Sequence, residues 1–215
     1  MNRGQEDYIK EIYTIQSESP KEWVSNQQLS VVFSHTIQTV NEMVKKLDKQ
    51  GYLVYTPYRG SVLSQAGKDE ALRLLRIHRI WEYFLLNCLD YSWDEVHQEA
   101  ERLEHVTSTR MEKALYNYLG KPKYCPIGKA IPDMDGHMER RKGIKLWEGI
   151  SNKDYKVILV EEEIELLKYL SSIDVKIENT IKILDKDSIG EYMTIENNKK
   201  QLVIGKKVAE AIYIK

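Results

Sequence analysis

The sequence predicts a mainly α-helical protein with small β parts: an N-terminal winged helix-turn-helix, a helical bundle, and a small C-terminal β-barrel. Three observations predict it. Two short capped helical segments and a hairpin follow one another between Ser25 and Ser64. The chain from Lys68 to about Leu119 is strongly apolar with helical spacing. Its last part breaks into short alternating runs separated by polar turns.

Ser25-Asn26-Gln27-Gln28 reads as a capping box, in which a hydroxyl and an amide satisfy the free N–H groups of a helix start. A short helix is expected through Leu29 to Val32, then a break at Phe33 to Thr36. Ile37, Val40, Val44 and Leu47 repeat at helical spacing, and Gly51 supplies a left-handed stop. Tyr52 to Tyr55 and Ser61 to Ser64 form the arms of a hairpin around Thr56-Pro57-Tyr58-Arg59-Gly60. Helix, turn, helix and wing thus come in order. The outward face of the second helix offers Thr36, Gln38, Thr39, Asn41 and Glu42 near its start and Lys45, Lys46 and Lys49 towards its end. Those types suit base edges and phosphates respectively, and Arg59 at the wing tip suits a phosphate or minor groove. Alone, the helix would equally be a solvated face. With the wing attached, the pattern points to double-stranded DNA.

The bundle holds Leu72, Leu75, Ile80, Trp81, Phe84, Leu85 and Leu86, more apolar surface than one small helix buries, so a twofold partner is expected and with it a homodimer. Ser92-Trp93-Asp94-Glu95 and Thr109-Arg110-Met111-Glu112 read as further capping boxes, and Gly120 with Pro122 closes the last helix. From about Asp133 to Lys156 the chain turns polar and reads as a linker. Beyond a short helix near Ile164 to Leu170, alternation at Thr180 to Leu184, Tyr192 to Ile195, Leu202 to Ile204 and Ala211 to Ile214 predicts strands. The expected domains are residues 1–72, 73–136 and 156–215, with 137–155 as linker and lead-in.

Composition narrows the function classes. At 42% hydrophobic and 30% charged residues, with no apolar run approaching the ~18 residues of a membrane span, nothing suggests a bilayer partner. The charged start from Met1 to Tyr13 lacks the apolar stretch of a signal peptide. Two cysteines, Cys88 and Cys125, are too few for a disulfide framework. A cytoplasmic location is expected. The net charge of -1 leaves nucleic-acid binding open, because a DNA reader can confine its basic residues to one face.

The chemistry sits in His97-Gln98-Glu99-Ala100-Glu101-Arg102-Leu103-Glu104-His105. On a helix turning about 100° per residue, His97, Glu101, Glu104 and His105 share one stripe. Such groups packed against a buried helix call for a cation, and mixed nitrogen and oxygen donors suit manganese, iron or zinc better than calcium or copper(I). His78 and Glu82 add a second pair at i, i+4 spacing. Each element alone is ordinary, since a His on an amphipathic helix is more often satisfied or exposed than a ligand; six ligand-type residues on two successive helices favour a metal. Carboxylate-bridged metal pairs in bundles also support enzymes, but the sequence has no nucleophile elbow, phosphate loop or HExxH pattern, and no small organic substrate is expected.

The sequence resembles the diphtheria-toxin-repressor family of iron- and manganese-dependent repressors over nearly its whole length. The resemblance rests on Glu6-Asp7-Tyr8-Ile9, Met43 to Leu53 with Tyr58-Arg59-Gly60, His78-Arg79 with Glu82, and Glu101-Arg102-Leu103-Glu104-His105-Val106. It implies a primary site of Asp7, Glu101, Glu104 and His105, an SH3-like C-terminal domain, and a dimer that binds operator DNA when loaded and controls metal-uptake genes. It also implies a second site with His78, Glu82 and, as in the streptococcal-type manganese regulators, the Cys125 position. That branch has a His two residues after this Cys, where this chain has Ile127. His97 or an acid of the 160–165 segment, Glu162 or Glu165, is expected to fill the gap. Smaller manganese-type members carry an acid where this chain has Lys10, so their two-metal arrangement is not expected. Asp7 and Glu101, replacing the Met and Cys of the iron type, favour Mn2+ over Fe2+, with Zn2+ able to substitute in vitro. An iron-responsive regulator of the same fold is the alternative, and a helical-bundle metalloenzyme a more distant one.

Overall fold

The computed structural model describes residues 1–19 and 23–215. They divide into two compact units, the first comprising Met1–His78, Glu104–Thr107 and Pro132–His137, the second Arg79–Leu103, Ser108–Ile131 and Met138–Lys215.

In the first unit, α1 (Arg3–Glu18) starts at a capping box: the Gln5 N–H donates to Asn2 Oδ1 at 3.1 Å and the Asn2 N–H to Gln5 Oε1 at 3.2 Å. Helix α2 (Asn26–Phe33) is capped by Ser25 with Gln28, as the sequence predicts, and ends on Ser34, held left-handed at φ 52°. The Thr36 hydroxyl then accepts from the Thr39 N–H and starts α3 (Ile37–Lys49). Strands β1 (Leu53–Thr56) and β2 (Gly60–Leu63) pair from Leu53↔Leu63 to Thr56↔Gly60, and Val24 bridges to Ser61 on the open side of β2. The core takes one face from each element: Tyr8, Ile9 and Ile12, then Leu29, then Val40, Val44 and Leu47, closed by the hairpin's Leu53 and Leu63. Spacings of three and four residues put these side chains on one helical stripe, so burying them fixes how α1 and α3 are rotated.

Helix α4 (Gln65–Leu89) runs on from the first unit into the second. The second unit adds α5 (Trp93–Glu104), α6 (Thr109–Tyr118), β3 (Ile144–Lys145), β4 (Asp154–Val160), α7 (Ile164–Ser172), β5 (Thr180–Asp187), β6 (Tyr192–Asn197), β7 (Lys200–Gly205), α8 (Lys206–Glu210) and β8 (Ile212–Ile214). Its strands form one antiparallel sheet in the order β3-β8-β4-β5-β6-β7, whose inward Val157, Ile181, Ile183, Met193, Ile195 and Ile212 are fully buried. Leu89, Met111 and Tyr118 stay at least half exposed on the helices. Among the described residues no helix is long and apolar enough to cross a membrane.

Three details depart from the sequence reading. Strand β4 begins at Asp154, inside the polar stretch read as a linker, because pairing with β5 and β8 rather than side-chain alternation decides it. Strand β3 also falls in that stretch. Helix α6 is capped by Ser108, whose hydroxyl accepts from the Met111 N–H, so the expected Thr109 box lies one residue late. Ser92 behaves as expected, donating from its N–H to Glu95 at 3.0 Å.

Gly60 is held at φ +109°, and a Cβ there would lie 2.2 Å from the Val24 carbonyl oxygen. Gly60→Ala is therefore expected to cost the first unit about 2 kcal/mol or more, seen as a lowered urea midpoint. A midpoint equal to that of the unaltered protein would show that the wing does not need this close approach.

Candidate metal centres and nucleic-acid interface

In the first unit an acid and imidazole cluster assembles on Glu104, whose side chain is 0% exposed. Its Oε1 accepts from Lys10 Nζ at 2.6 Å, and its Oε2 lies 2.5 Å from His78 Nδ1. Burial would raise the Glu104 carboxyl's pKa; the hydrogen bond and charge of His78, with the Lys10 ammonium, outweigh it and hold the group below its ordinary value. His105 lies beside it, with Nδ1 2.6 Å from Glu6 Oε2 and Nε2 3.0 Å from Asp7 Oδ1. That Nε2 is buried and, though in ion-pair range of Asp7, makes no hydrogen bond among the described residues. Asp7, Glu104 and His105 each present a ligand-type atom, and these atoms lie within 4.8 Å of one another. Glu101, half-buried on α5, precedes Glu104 and His105 by three and four residues, which on a helix is one shared face.

This donor set fits a divalent cation of intermediate hardness: carboxylate oxygens converge with a buried imidazole nitrogen that lacks a hydrogen bond. Lys10 and Glu6 are the participants that sequence reasoning did not assign. Glu6 adjoins Asp7, so the acidic pair on one helix start was the available signal; the contact of Lys10 with a residue far along the chain had none.

The second unit holds a comparable group. Glu82 on α4, His97 on α5 and Glu162, just after β4, offer ligand atoms within 4.8 Å. His97 Nδ1 is 2.8 Å from Glu162 Oε1 and 3.5 Å from Glu82 Oε1, while Lys129 Nζ holds the other Glu162 oxygen at 2.6 Å. Hydrogen bonds to Glu162 and Glu82 push the His97 pKa up to about 10. His78 precedes Glu82 by one turn of α4. Of the other residues considered for the second site, Cys125 is buried and not one of this group; burial first, then the Glu82 carboxylate, pushes its thiol up, against forming a thiolate. Glu165 is exposed and pairs with Lys168 at 3.5 Å instead. A further group, Asp133, Asp135 and His137, is largely exposed and is accounted for by its turn, in which Asp133 Oδ1 accepts from the Asp135 and His137 N–H groups.

Thr36 at the cap of α3 and Gln38, Thr39, Lys45 and Lys46 along it are exposed, and Asn41 is half-buried. Gln38 Nε2 reaches Glu42 at 3.3 Å. Arg59 is exposed at the wing, its guanidinium 4.2 Å from the Trp23 ring centre. The start of a capped helix therefore presents donors and acceptors to one side, with cations further along it.

Residues 1–61 match the family described as iron dependent repressor, N-terminal DNA binding domain; residues 64–133 match iron dependent repressor, metal binding and dimerisation domain; and residues 151–215 match the FeoA domain. The chain is 24% identical over 222 residues to the iron-dependent repressor IdeR of Mycobacterium leprae, covering 97% of this chain and 95% of that one. Among solved structures it is similar to a manganese-dependent transcriptional repressor in complex with manganese, with TM-score 0.82, 29% identity and 98% of both chains covered. It is also similar to the manganese regulator SloR, with TM-score 0.72, 34% identity, and 98% and 97% covered.

Because His97 titrates near 10 when folded and near 6.5 when unfolded, its ion pairs stabilise the metal-free protein fully below about pH 6.5 and fade as the pH rises towards 10. Urea unfolding in chelator is expected to show that decline in the unaltered protein and lack it in His97→Gln. Parallel pH profiles for the two would refute the pairing.

Proposed function

Because the chain belongs to the family of iron- and manganese-dependent transcriptional repressors, we propose that it is a cytoplasmic, manganese-responsive repressor that binds operator DNA as a homodimer and controls metal-uptake genes. The observation that carries this reading is the cluster of Asp7, Glu104 and His105 in the same compact unit as the winged helix. Asp7 sits on α1, whose buried face packs in one core with α2 and α3. Occupancy of that cluster therefore bears directly on the element that reads DNA.

Asp7, Glu104 and His105, completed by Glu101, would hold the ion. When bound, the cation supplies positive charge that ties the carboxylates and imidazole into one arrangement. The chain's own residues do the rest. Lys10 and His78 keep Glu104 ionised and oriented, and Glu6 fixes the His105 ring through Nδ1, leaving Nε2 for the ligand role. A ligand that prefers the DNA-competent arrangement must bind more tightly when DNA is present. Thr36, Gln38, Thr39 and Asn41 would meet base edges and nearby phosphates, and Lys45, Lys46 and Arg59 the backbone, with the two copies reading successive major grooves.

Oxygen donors with imidazole and no thiolate favour manganese, and two whole-chain structural relatives at 29% and 34% identity are described as manganese-dependent or manganese regulators. The same donors accept ferrous iron, and the iron-dependent relative keeps that alternative in view. In the second unit, Glu82, His97 and Glu162, with His78 one turn before Glu82, would form the second metal site.

Operator affinity, followed by anisotropy at fixed free manganese, ferrous iron or zinc, is expected to need a divalent ion and to respond at the lowest free concentration that is physiologically buffered for manganese. Glu104→Gln is expected to lose the metal response. Gln38→Ala or Thr39→Ala is expected to weaken DNA binding by about 1–3 kcal/mol with metal affinity unchanged. Equal operator affinity in chelator and in manganese would sink the proposal.

A further inference from the structure

The residue after Asp7 leaves the metal cluster and enters the DNA-reading turn. Tyr8 is 1% exposed. Successive helix residues point about 100° apart, so while Asp7 faces His105, Tyr8 stacks on Phe33 at the end of α2, with ring centres 4.2 Å apart and planes 2° apart. Its hydroxyl is 2.9 Å from His35 Nδ1. His35 is the middle residue of the turn between α2 and α3, and its neighbour Thr36 caps α3. The backbone of that turn is clamped: the His35 N–H donates to the Ser30 carbonyl at 3.1 Å, and the Ser30 hydroxyl donates to the His35 carbonyl at 2.6 Å. Ser34, at φ 52°, gives the chain its sharp change of direction there.

Helix α1 is therefore a single stiff element with two adjoining faces. One carries Glu6, Asp7 and Lys10 against His105 and Glu104. The other carries Tyr8 against Phe33 and His35. A shift of Asp7 along or about the helix axis moves the Tyr8 hydroxyl with it, because the two residues share a helical backbone. The turn cannot absorb that movement freely, since Ser30 holds His35 at both backbone groups. What Tyr8 does is thus passed to the residue that precedes the Thr36 cap.

We infer that the Tyr8–His35 hydrogen bond transmits occupancy of the Asp7 cluster to the start of the DNA-reading helix, with Tyr8 as a positioning residue that touches neither metal nor DNA. The inference rests on the proposed metal-activated DNA binding and adds the contact through which it acts. Coupling of this kind is a ratio of affinities, so it can be measured apart from either affinity alone.

The test uses the full chain and a duplex that the unaltered protein selects, in manganese, from a random pool. DNA affinity is measured with saturating manganese and with chelator, and manganese affinity of the DNA-free protein is followed by the electron paramagnetic signal of the free ion. Tyr8→Phe keeps the ring stack and removes only the hydroxyl. It is expected to leave manganese affinity unchanged and to shrink the ratio of the two DNA affinities about five- to tenfold, the effect of one hydrogen bond. His35→Ala, at an exposed position, is expected to shrink the ratio equally, and the double variant no further. A Tyr8→Phe ratio equal to that of the unaltered protein would overturn the inference. So would equal weakening in both states, which would mark the bond as support for the turn alone. If the unaltered protein shows no metal dependence, the proposed function itself fails, and that outcome is separate from these.

Discussion

The structure of the first unit depends on keeping one buried carboxylate charged. Glu104 has no solvent contact, and an isolated buried charge is strongly unfavourable. Lys10 and His78 offset that cost, one on each oxygen. The three residues come from α1, α4 and the end of α5, so satisfying this one group brings together segments far apart in sequence. Once they are together, Glu6 and Asp7 necessarily flank His105, because they occupy the turn of α1 before Lys10. The grouping of acids and imidazoles is thus a consequence of how a buried acid is neutralised.

How much of this was legible varies with the range of the interaction responsible. The winged helix was readable because its signals are local: Ser25 with Gln28, Thr36 with Thr39, and the Val40, Val44, Leu47 stripe all act within a few residues. The stripe of Glu101, Glu104 and His105 was readable for the same reason. The spacing that also put His97 on it was a weaker guide, because that ring meets Glu82 and Glu162. Choosing Glu162 over Glu165 required knowing that β4 ends at Val160 and delivers the next residues to His97, and β4 itself is fixed by pairing with β5 and β8. No periodicity in the 154–160 segment announces it. Lys10 marked a departure from the smaller manganese-type pattern in sequence, but its contact with Glu104 is purely tertiary.

The two acid and imidazole groups use the same chemistry but bury their imidazoles to different extents. Side-chain exposure is 6% at the His105 imidazole against 37% at His97, while each group has one dry and one wetter carboxylate, Glu104 at 0% and Asp7 at 26% in the first, Glu82 at 4% and Glu162 at 24% in the second. Charges interact more strongly and are screened less by salt where water is excluded. An ion pair made by the His105 ring is therefore less screened than one made by the His97 ring.

The elements that carry each group set what it can act on. Ordering the first group would act on α1, which shares its core with the recognition helix α3. Ordering the second acts on α4, α5 and the segment after β4, where Lys129 already holds one Glu162 oxygen and His97 already carries a proton shared between two acids. A cation arriving there would replace the His97 proton and compete with the Lys129 ammonium, just as one arriving at Glu104 would compete with Lys10. What separates the two groups is the elements they join: under the proposed metal binding, the first would act on α1 and so on the core that holds α3, and the second on α4, α5 and the segment after β4.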